Sequence, residues 1–113
     1  MGKKPDEKLE LLQGTLDMMV LRTLAAGRAN GYEIARAIER LSDDVLAVDH
    51  GSLYPALQRL ERSGVIAGKW ETSSTNRRAR YYGLTAAGRK RLRVERSKWA
   101  RMAAAITRVM RPA

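Results

Sequence analysis

The sequence predicts a mainly α chain with one small β-hairpin, in the order three short helices, hairpin, one long C-terminal helix. Three observations predict it. Apolar residues recur at helical spacing in three blocks between Leu9 and Ser63. After Gly64 the pattern changes to two short extended runs around a polar connector. A second helical pattern then runs from Thr85 to about Arg111. A chain of 113 residues makes one compact domain, expected over 1–84, with 85–113 as a helix beyond it. At 44% hydrophobic it can bury a core, but 30% charged residues and no Phe make that core modest.

The first block spans Leu9 to Ala26. From Leu16 onward, Leu16, Met18, Met19, Val20, Leu21 and Leu24 occupy most of the helix circumference, broken by Asp17 and Arg22. A helix apolar on most sides must be covered on most sides. One face is expected in the domain core, and the other, with Leu16 and Met19, against a second copy or the tail helix. Gly27 is the stop.

Asn30-Gly31-Tyr32-Glu33 opens the second helix, with Asn30 as N-cap and Glu33 placed to complete a capping box. Ile34, Ala35, Ile38 and Leu41 form its apolar stripe, and Ser42-Asp43-Asp44 ends it. The third helix lies within Gly51–Ser63. Pro55 lacks an N–H and clashes with the carbonyl four residues back, so it is expected in the first turn, putting the start near Gly51 or Ser52. Leu53, Ala56, Leu57 and Leu60 share one face. Tyr54, Gln58, Arg59 and Arg62 share the other, and carry the hydroxyl, amide and guanidinium groups that bond base edges and phosphates. An ordinary amphipathic helix with a soluble face fits the same residues.

Val65–Glu71 and Ala79–Leu84 read as strands joined by the polar connector 72–78. Arg77, Arg78 and Arg80 fall at or near the tip, and Trp70, Tyr81 and Tyr82 are expected to pack the hairpin onto the helices. Three helices followed by a basic-tipped hairpin is the order of a winged helix-turn-helix. Thr85 is a suitable N-cap for the last helix. Along it Leu92, Trp99 and Ile106 recur every seven residues, with Met102 and Val109 between, a coiled-coil-like stripe broken by Glu95. A protruding helix with such a stripe needs a partner, so a homodimer is expected through Leu92, Trp99, Met102, Ile106 and Val109.

Charge is distributed in the same sense. The net charge is +10, yet residues 1–67 are close to neutral, while residues 89–113 hold nine Lys and Arg against the single acid Glu95. That surplus suits phosphate contact with release of counterions. A solvated helix face is the plainer alternative. With no cysteine, disulfides, Cys-ligated zinc and thiol catalysis are excluded. The stretch Met1–Lys8 has no apolar run after its basic residues, so no secretory signal is expected in it. No segment reaches the roughly 18 apolar residues of a membrane span, and the expected location is cytoplasmic, at the nucleoid. The single histidine, His50, has no second histidine or thiol as partner, so a role in the turn is expected for it rather than metal ligation. No Gly-rich phosphate loop or nucleophile elbow occurs. No enzyme activity, cofactor or metal is expected.

Four blocks carry a family resemblance. They are Leu11-Leu12-Gln13-Gly14-Thr15-Leu16-Asp17, Asn30-Gly31-Tyr32-Glu33-Ile34-Ala35, Gly51-Ser52-Leu53-Tyr54-Pro55-Ala56-Leu57 through Arg59-Leu60-Glu61, and Arg77-Arg78-Ala79-Arg80-Tyr81-Tyr82-Gly83-Leu84-Thr85-Ala86-Ala87-Gly88. In this order and spacing they resemble the PadR family of bacterial transcription regulators, over about residues 11–110. The resemblance implies a dimeric regulator, usually a repressor, with the third helix in the major groove and the wing on the flanking backbone. It further implies the small subfamily with one C-terminal helix. In some of those members aromatic residues near the dimer axis hold flat, often cationic ligands, and Trp99 stands where such a tryptophan would be. The expected contacts to double-stranded operator DNA are Ser52, Tyr54, Gln58, Arg59, Lys69, Arg77, Arg78 and Arg80, and the expected small-molecule effector site is Trp99. A sequence-independent architectural nucleic-acid-binding protein remains open at this point, as does a winged-helix adaptor that binds protein.

Overall fold

The computed structural model describes residues 9–10 and 13–113. Leu11 and Leu12 of the first motif block, and the Met1–Lys8 stretch, lie outside the described residues. The elements run β1 (Leu9–Glu10), α1 (Gln13–Ala25), β2 (Ala29–Asn30), α2 (Gly31–Leu41), β3 (Leu46–Ala47), α3 (His50–Arg62), β4 (Ile66–Thr72), β5 (Arg78–Leu84) and α4 (Ala86–Val109). This is a winged helix-turn-helix with one long C-terminal helix, as the periodicity predicts.

The helix α1 begins later than its apolar block suggests, because Leu9–Glu10 is drawn into a short parallel ladder with Leu46–Ala47. Leu16, Val20, Leu21 and Leu24 of α1 are buried. They pack against α2, α3 and α4 together, so the nearly all-round apolar character of α1 is satisfied largely within its own chain. Leu16 is 2% exposed and Leu92 6%. Both therefore belong to this chain's core and offer a second copy almost nothing, which corrects their expected place in a dimer interface. Met19 is only partly buried against that core.

In α2 the capping box forms as predicted: the Glu33 N–H donates to Asn30 Oδ1 at 2.8 Å, and the Asn30 N–H to Glu33 Oε1 at 3.0 Å. Such caps contribute about 1 kcal/mol. Ile34, Ala35 and Ile38 are buried, but Leu41 is 65% exposed because the helix ends at that residue.

The start of α3 lies one or two residues before the expected one. Asp49 is the N-cap, its carboxylate accepting from the Gly51 N–H at 3.3 Å, and His50 is the first helical residue. Pro55 consequently sits past the first turn, where the Gly51 carbonyl loses its helical donor. The other end is a Schellman turn. The Gly64 N–H donates to Glu61 and the Val65 N–H to Leu60, with Gly64 at φ +79°. Leu53, Ala56, Leu57 and Leu60 are essentially inaccessible. This face locks α3 to α1 and α2.

Strands β4 and β5 form the antiparallel hairpin in a register that pairs Ile66 with Leu84 and Thr72 with Arg78. A third strand, β2, adds to the outer side of β5, pairing Ala29 with Tyr82 and Asn30 with Tyr81. The sequence does not announce it, since two residues carry no period and Asn30 already serves as a helix cap. The chain turns from β5 into α4 through Thr85. Its hydroxyl donates to the Gly64 carbonyl at 2.7 Å and accepts from the Gly88 N–H at 3.0 Å. An added Cβ at Gly88 would collide with the Val65 carbonyl oxygen and stand 2.6 Å from Leu84 Cδ1. The Leu84-Thr85-x-x-Gly88 pattern is thus the joint between wing and long helix.

Candidate nucleic-acid interface

The outward face of α3 presents Ser52, Tyr54, Gln58 and Arg62, all exposed. They are there because Leu53, Ala56, Leu57 and Leu60 fix the rotation of the helix from the opposite side. The Ser52 hydroxyl donates to Asp49 Oδ2 at 3.3 Å, so it belongs to the cap as well as to the surface. Tyr54 is 46% exposed and lies across the first turn of α2: a Cβ at Gly31 would be 2.9 Å from its Cε1. The His50 ring is exposed and sits 5.8 Å from the Tyr54 ring, beside the turn as expected.

Arg59 is not free on this face. Its guanidinium donates to Asp17 Oδ1 at 3.0 Å across the α1–α3 contact. Burial pushes the Asp17 carboxyl above its ordinary value, and the Arg59 charge and hydrogen bond pull only partly the other way. Arg80 is likewise committed. Its guanidinium donates to Glu61 Oε2 at 2.5 Å, and the Gly68 N–H donates to the same oxygen at 3.2 Å. The hydrogen bond from Arg80 holds the Glu61 carboxyl below its ordinary value. Gly68 leaves the room: a Cβ there would be 2.6 Å from Arg80 Nε. Arg59 and Arg80, both expected to touch DNA, therefore have intramolecular partners. They orient α3 and the wing relative to the rest of the fold.

The wing tip is built by Ser73. Its N–H donates to the Arg77 carbonyl at 2.7 Å, and its hydroxyl accepts from the Arg77 N–H at 3.2 Å. Asn76 takes the left-handed φ of +61° that closes the turn. Arg77 and Arg78 are exposed at this tip, and Lys69 is exposed on the opposite face of the hairpin.

Trp70 departs from expectation. Tyr82 is buried against the helices, but Trp70 is 54% exposed. It stands opposite Arg80 in the ladder, with Arg80 Cζ 5.8 Å and Arg78 Cζ 5.4 Å from its ring centroid. The exposed indole thus meets two guanidiniums instead of the core. On the other face Arg28 pairs with Glu71 and lies 6.0 Å from the Tyr81 ring.

Along α4, Trp99, Met102, Ile106 and Val109 are all exposed, with Val109 the most so at 81%. They form one stripe with the buried Leu92. The N-terminal part of that stripe is covered by α1, and the rest is uncovered. No helix among the described residues is long and apolar enough to cross a membrane.

Comparison with known proteins agrees with this geometry. The chain is similar to an uncharacterised protein of Lysinibacillus sphaericus, 29% identical over 91 residues, covering 80% of this chain and 84% of that one. Among solved structures it is similar to a transcriptional regulator of Clostridium thermocellum, with TM-score 0.80 and 28% identity, covering 88% of this chain and 96% of the other. It shares its fold with a PadR-like transcriptional regulator of Bacillus cereus, with TM-score 0.75 and 24% identity over 90% of this chain and 97% of that one. Residues 20–94, from the middle of α1 into α4, match the transcriptional regulator PadR-like family. The chain belongs to that family.

Proposed function

We propose that the protein is a sequence-specific repressor that binds a pseudo-palindromic operator as a homodimer. In this reading α3 enters the major groove, with Ser52, Tyr54, Gln58 and Arg62 toward the bases and flanking phosphates. Lys69, Arg77 and Arg78 of the wing hold the backbone. Half-sites lie about 10 bp apart, one helical turn. The observation that carries the reading is the pairing of an exposed polar face on α3 with an arginine tip on the wing, the two joined by Glu61 and Arg80. The uncovered stripe of α4 supports the dimer, and Trp99, its single aromatic residue, is where a flat effector would stack.

Unbiased selection of bound genomic fragments tests this. A shared inverted repeat is the expected result, and Gln58→Ala should relax preference at one position per half-site by about 1–3 kcal/mol. Retention of fragments without any common sequence would instead establish an architectural protein. Titration of flat aromatic cations against Trp99 fluorescence in a Trp70→Phe background tests the effector site.

A further inference from the structure

We propose that the outward side of α4 is a second nucleic-acid surface, which grips the phosphate backbone of a duplex segment other than the one held by α3 and the wing. The inference goes beyond the function above and rests on it for the first duplex.

Gly88 and Leu92, the buried residues of α4, lie on the same side of the helix as Trp99, Met102 and Ile106. At 100° per residue, Lys90, Arg93, Arg101 and Arg108 lie on the opposite side, flanked by Arg89. All five are exposed. They face away from both the body of the domain and the apolar stripe. Ser97, Ala100 and Ala104 lie between them on that side, and Val94, exposed at its border, is the single bulky apolar side chain beside the cations.

Among the described residues these cations have no acidic partner. Among the described residues the one ion pair on α4 joins Arg91 to Glu95 at 3.5 Å, and Glu95 sits on the apolar side. Arg89 and Arg93, at i and i+4, and Lys90 and Arg93, at i and i+3, repel along the helix. The N-terminal position of Arg89 and Lys90 also opposes the helix dipole. A helix kept soluble by charge would intersperse acids at these spacings. Four of the five cations are arginine, whose guanidinium fork matches phosphate oxygens. From Lys90 to Arg108 the helix rises about 27 Å, the axial length of about 8 bp. An anionic membrane fits less well, because a helix lying on lipid buries its apolar side, and here that side is the one left for a second copy.

The test is a bridging assay on the intact protein. A biotinylated duplex from a bound genomic fragment is immobilised, loaded with protein, and offered a fluorescent duplex of scrambled sequence. The wild type should retain the fluorescent duplex. Lys90→Gln/Arg93→Gln/Arg101→Gln/Arg108→Gln should retain about tenfold less, while its affinity for the immobilised duplex changes less than about twofold. Arg101→Gln/Arg108→Gln, confined to the part of α4 that packs on nothing in its own chain, gives an intermediate loss and guards against misfolding of the larger variant. Equal bridging by wild type and both variants overturns the proposal, as does a wild type that loads the immobilised duplex and retains no second one. Displacement of the fluorescent duplex by polyglutamate or anionic vesicles, but not by excess scrambled DNA, would assign the surface to an acidic protein or lipid and overturn it too. A wild type that binds no immobilised duplex at all defeats the function proposed above along with this inference.

Discussion

Arg59 donates to Asp17 at 3.0 Å, joining α3 to α1 across 42 residues of sequence. The Asp17 side chain is 16% exposed and the Arg59 side chain 35%. Removing the arginine leaves a largely buried carboxylate without its partner, whereas removing the acid leaves a guanidinium that reaches water. Arg59→Met should therefore destabilise by about 1–3 kcal/mol, whereas Asp17→Asn should cost little or nothing at pH 7, because burial already penalises the carboxylate. In urea denaturation Asp17→Asn/Arg59→Met should recover part of the Arg59→Met loss. A double-variant loss equal to the sum of the two single losses would show that the pair does not couple the helices.

The two perturbed carboxyls work in opposite senses with pH. Burial raises Asp17, so its ionised form opposes folding. Its penalty is full above its folded pKa and disappears as pH falls toward the unfolded value of 3.8. The hydrogen bond from Arg80 lowers Glu61. Its stabilisation is full above the unfolded value of 4.5 and is lost as pH falls through its folded pKa. Glu61→Gln should lower stability at pH 7 by about 0.5–1 kcal/mol, the pair being partly exposed. It should also flatten the loss of stability on acidification below about pH 4.5. Asp17→Asn should steepen that loss. Denaturation curves at pH 3.5 to 7 distinguish the two, and slopes changing in the same direction would refute the assignment.

Two glycines that look alike in sequence should respond differently. At Gly31 an added methyl meets the edge of Tyr54, a half-exposed side chain that can swing outward. At Gly88 it meets the backbone carbonyl of Val65, which is fixed at the joint between wing and long helix. Gly88→Ala should cost about 1–3 kcal/mol or more. Gly31→Ala should cost under about 1 kcal/mol and act chiefly on DNA affinity, by displacing Tyr54. Thermal melts paired with fluorescence anisotropy on a bound fragment check both.

On the wing, exposed Arg77 and Arg78 have no acidic partner among the described residues. Changing both to Ala should weaken DNA binding at every sequence alike. It should also reduce the slope of log affinity against log salt by about 3.6 for the dimer, roughly 0.9 for each of the four phosphates its two wings neutralise. Arg80→Ala should instead lower stability and blur specificity, since its charge is spent on Glu61. A salt slope that Arg77→Ala/Arg78→Ala leaves unchanged would separate the wing from the phosphates.

How much of this was legible in the sequence depended on whether a feature was local. The Asn30–Glu33 capping box, the Thr85 N-cap and the buried set Leu53, Ala56, Leu57 and Leu60 are short-range patterns, and each formed as its spacing implies. Spacing could not show that Arg59 and Arg80 have partners 42 and 19 residues away, because a helical wheel displays the face of a residue and not what lies across from it. Trp70 departs from the sequence expectation for a related reason. An aromatic residue in a strand usually packs inward, but here the guanidiniums of Arg78 and Arg80 lie over a half-exposed indole. Periodicity leaves open whether the face with Leu16 meets a second copy or the tail helix, because the path of α4 over α1, which buries Leu16 and Leu92, is not a periodic property.

The stripe on α4 yields the remaining prediction. Trp99 and Ile106 are each about half exposed, and with Met102 and Val109 they continue a line whose covered end is Leu92. Burying an apolar side chain of this size contributes about 1.5–3 kcal/mol, so several of them on two chains suffice for a dimer once the cost of association is met. Trp99→Asp/Ile106→Asp should give monomers by light scattering at concentrations where the wild type is dimeric. Neither residue belongs to the buried core, so the winged domain should keep its fold and most of its melting temperature. DNA affinity should fall steeply because a monomer grips one half-site. A variant that still scatters as a dimer would move the interface off this stripe, toward the half-buried Met19 side of α1.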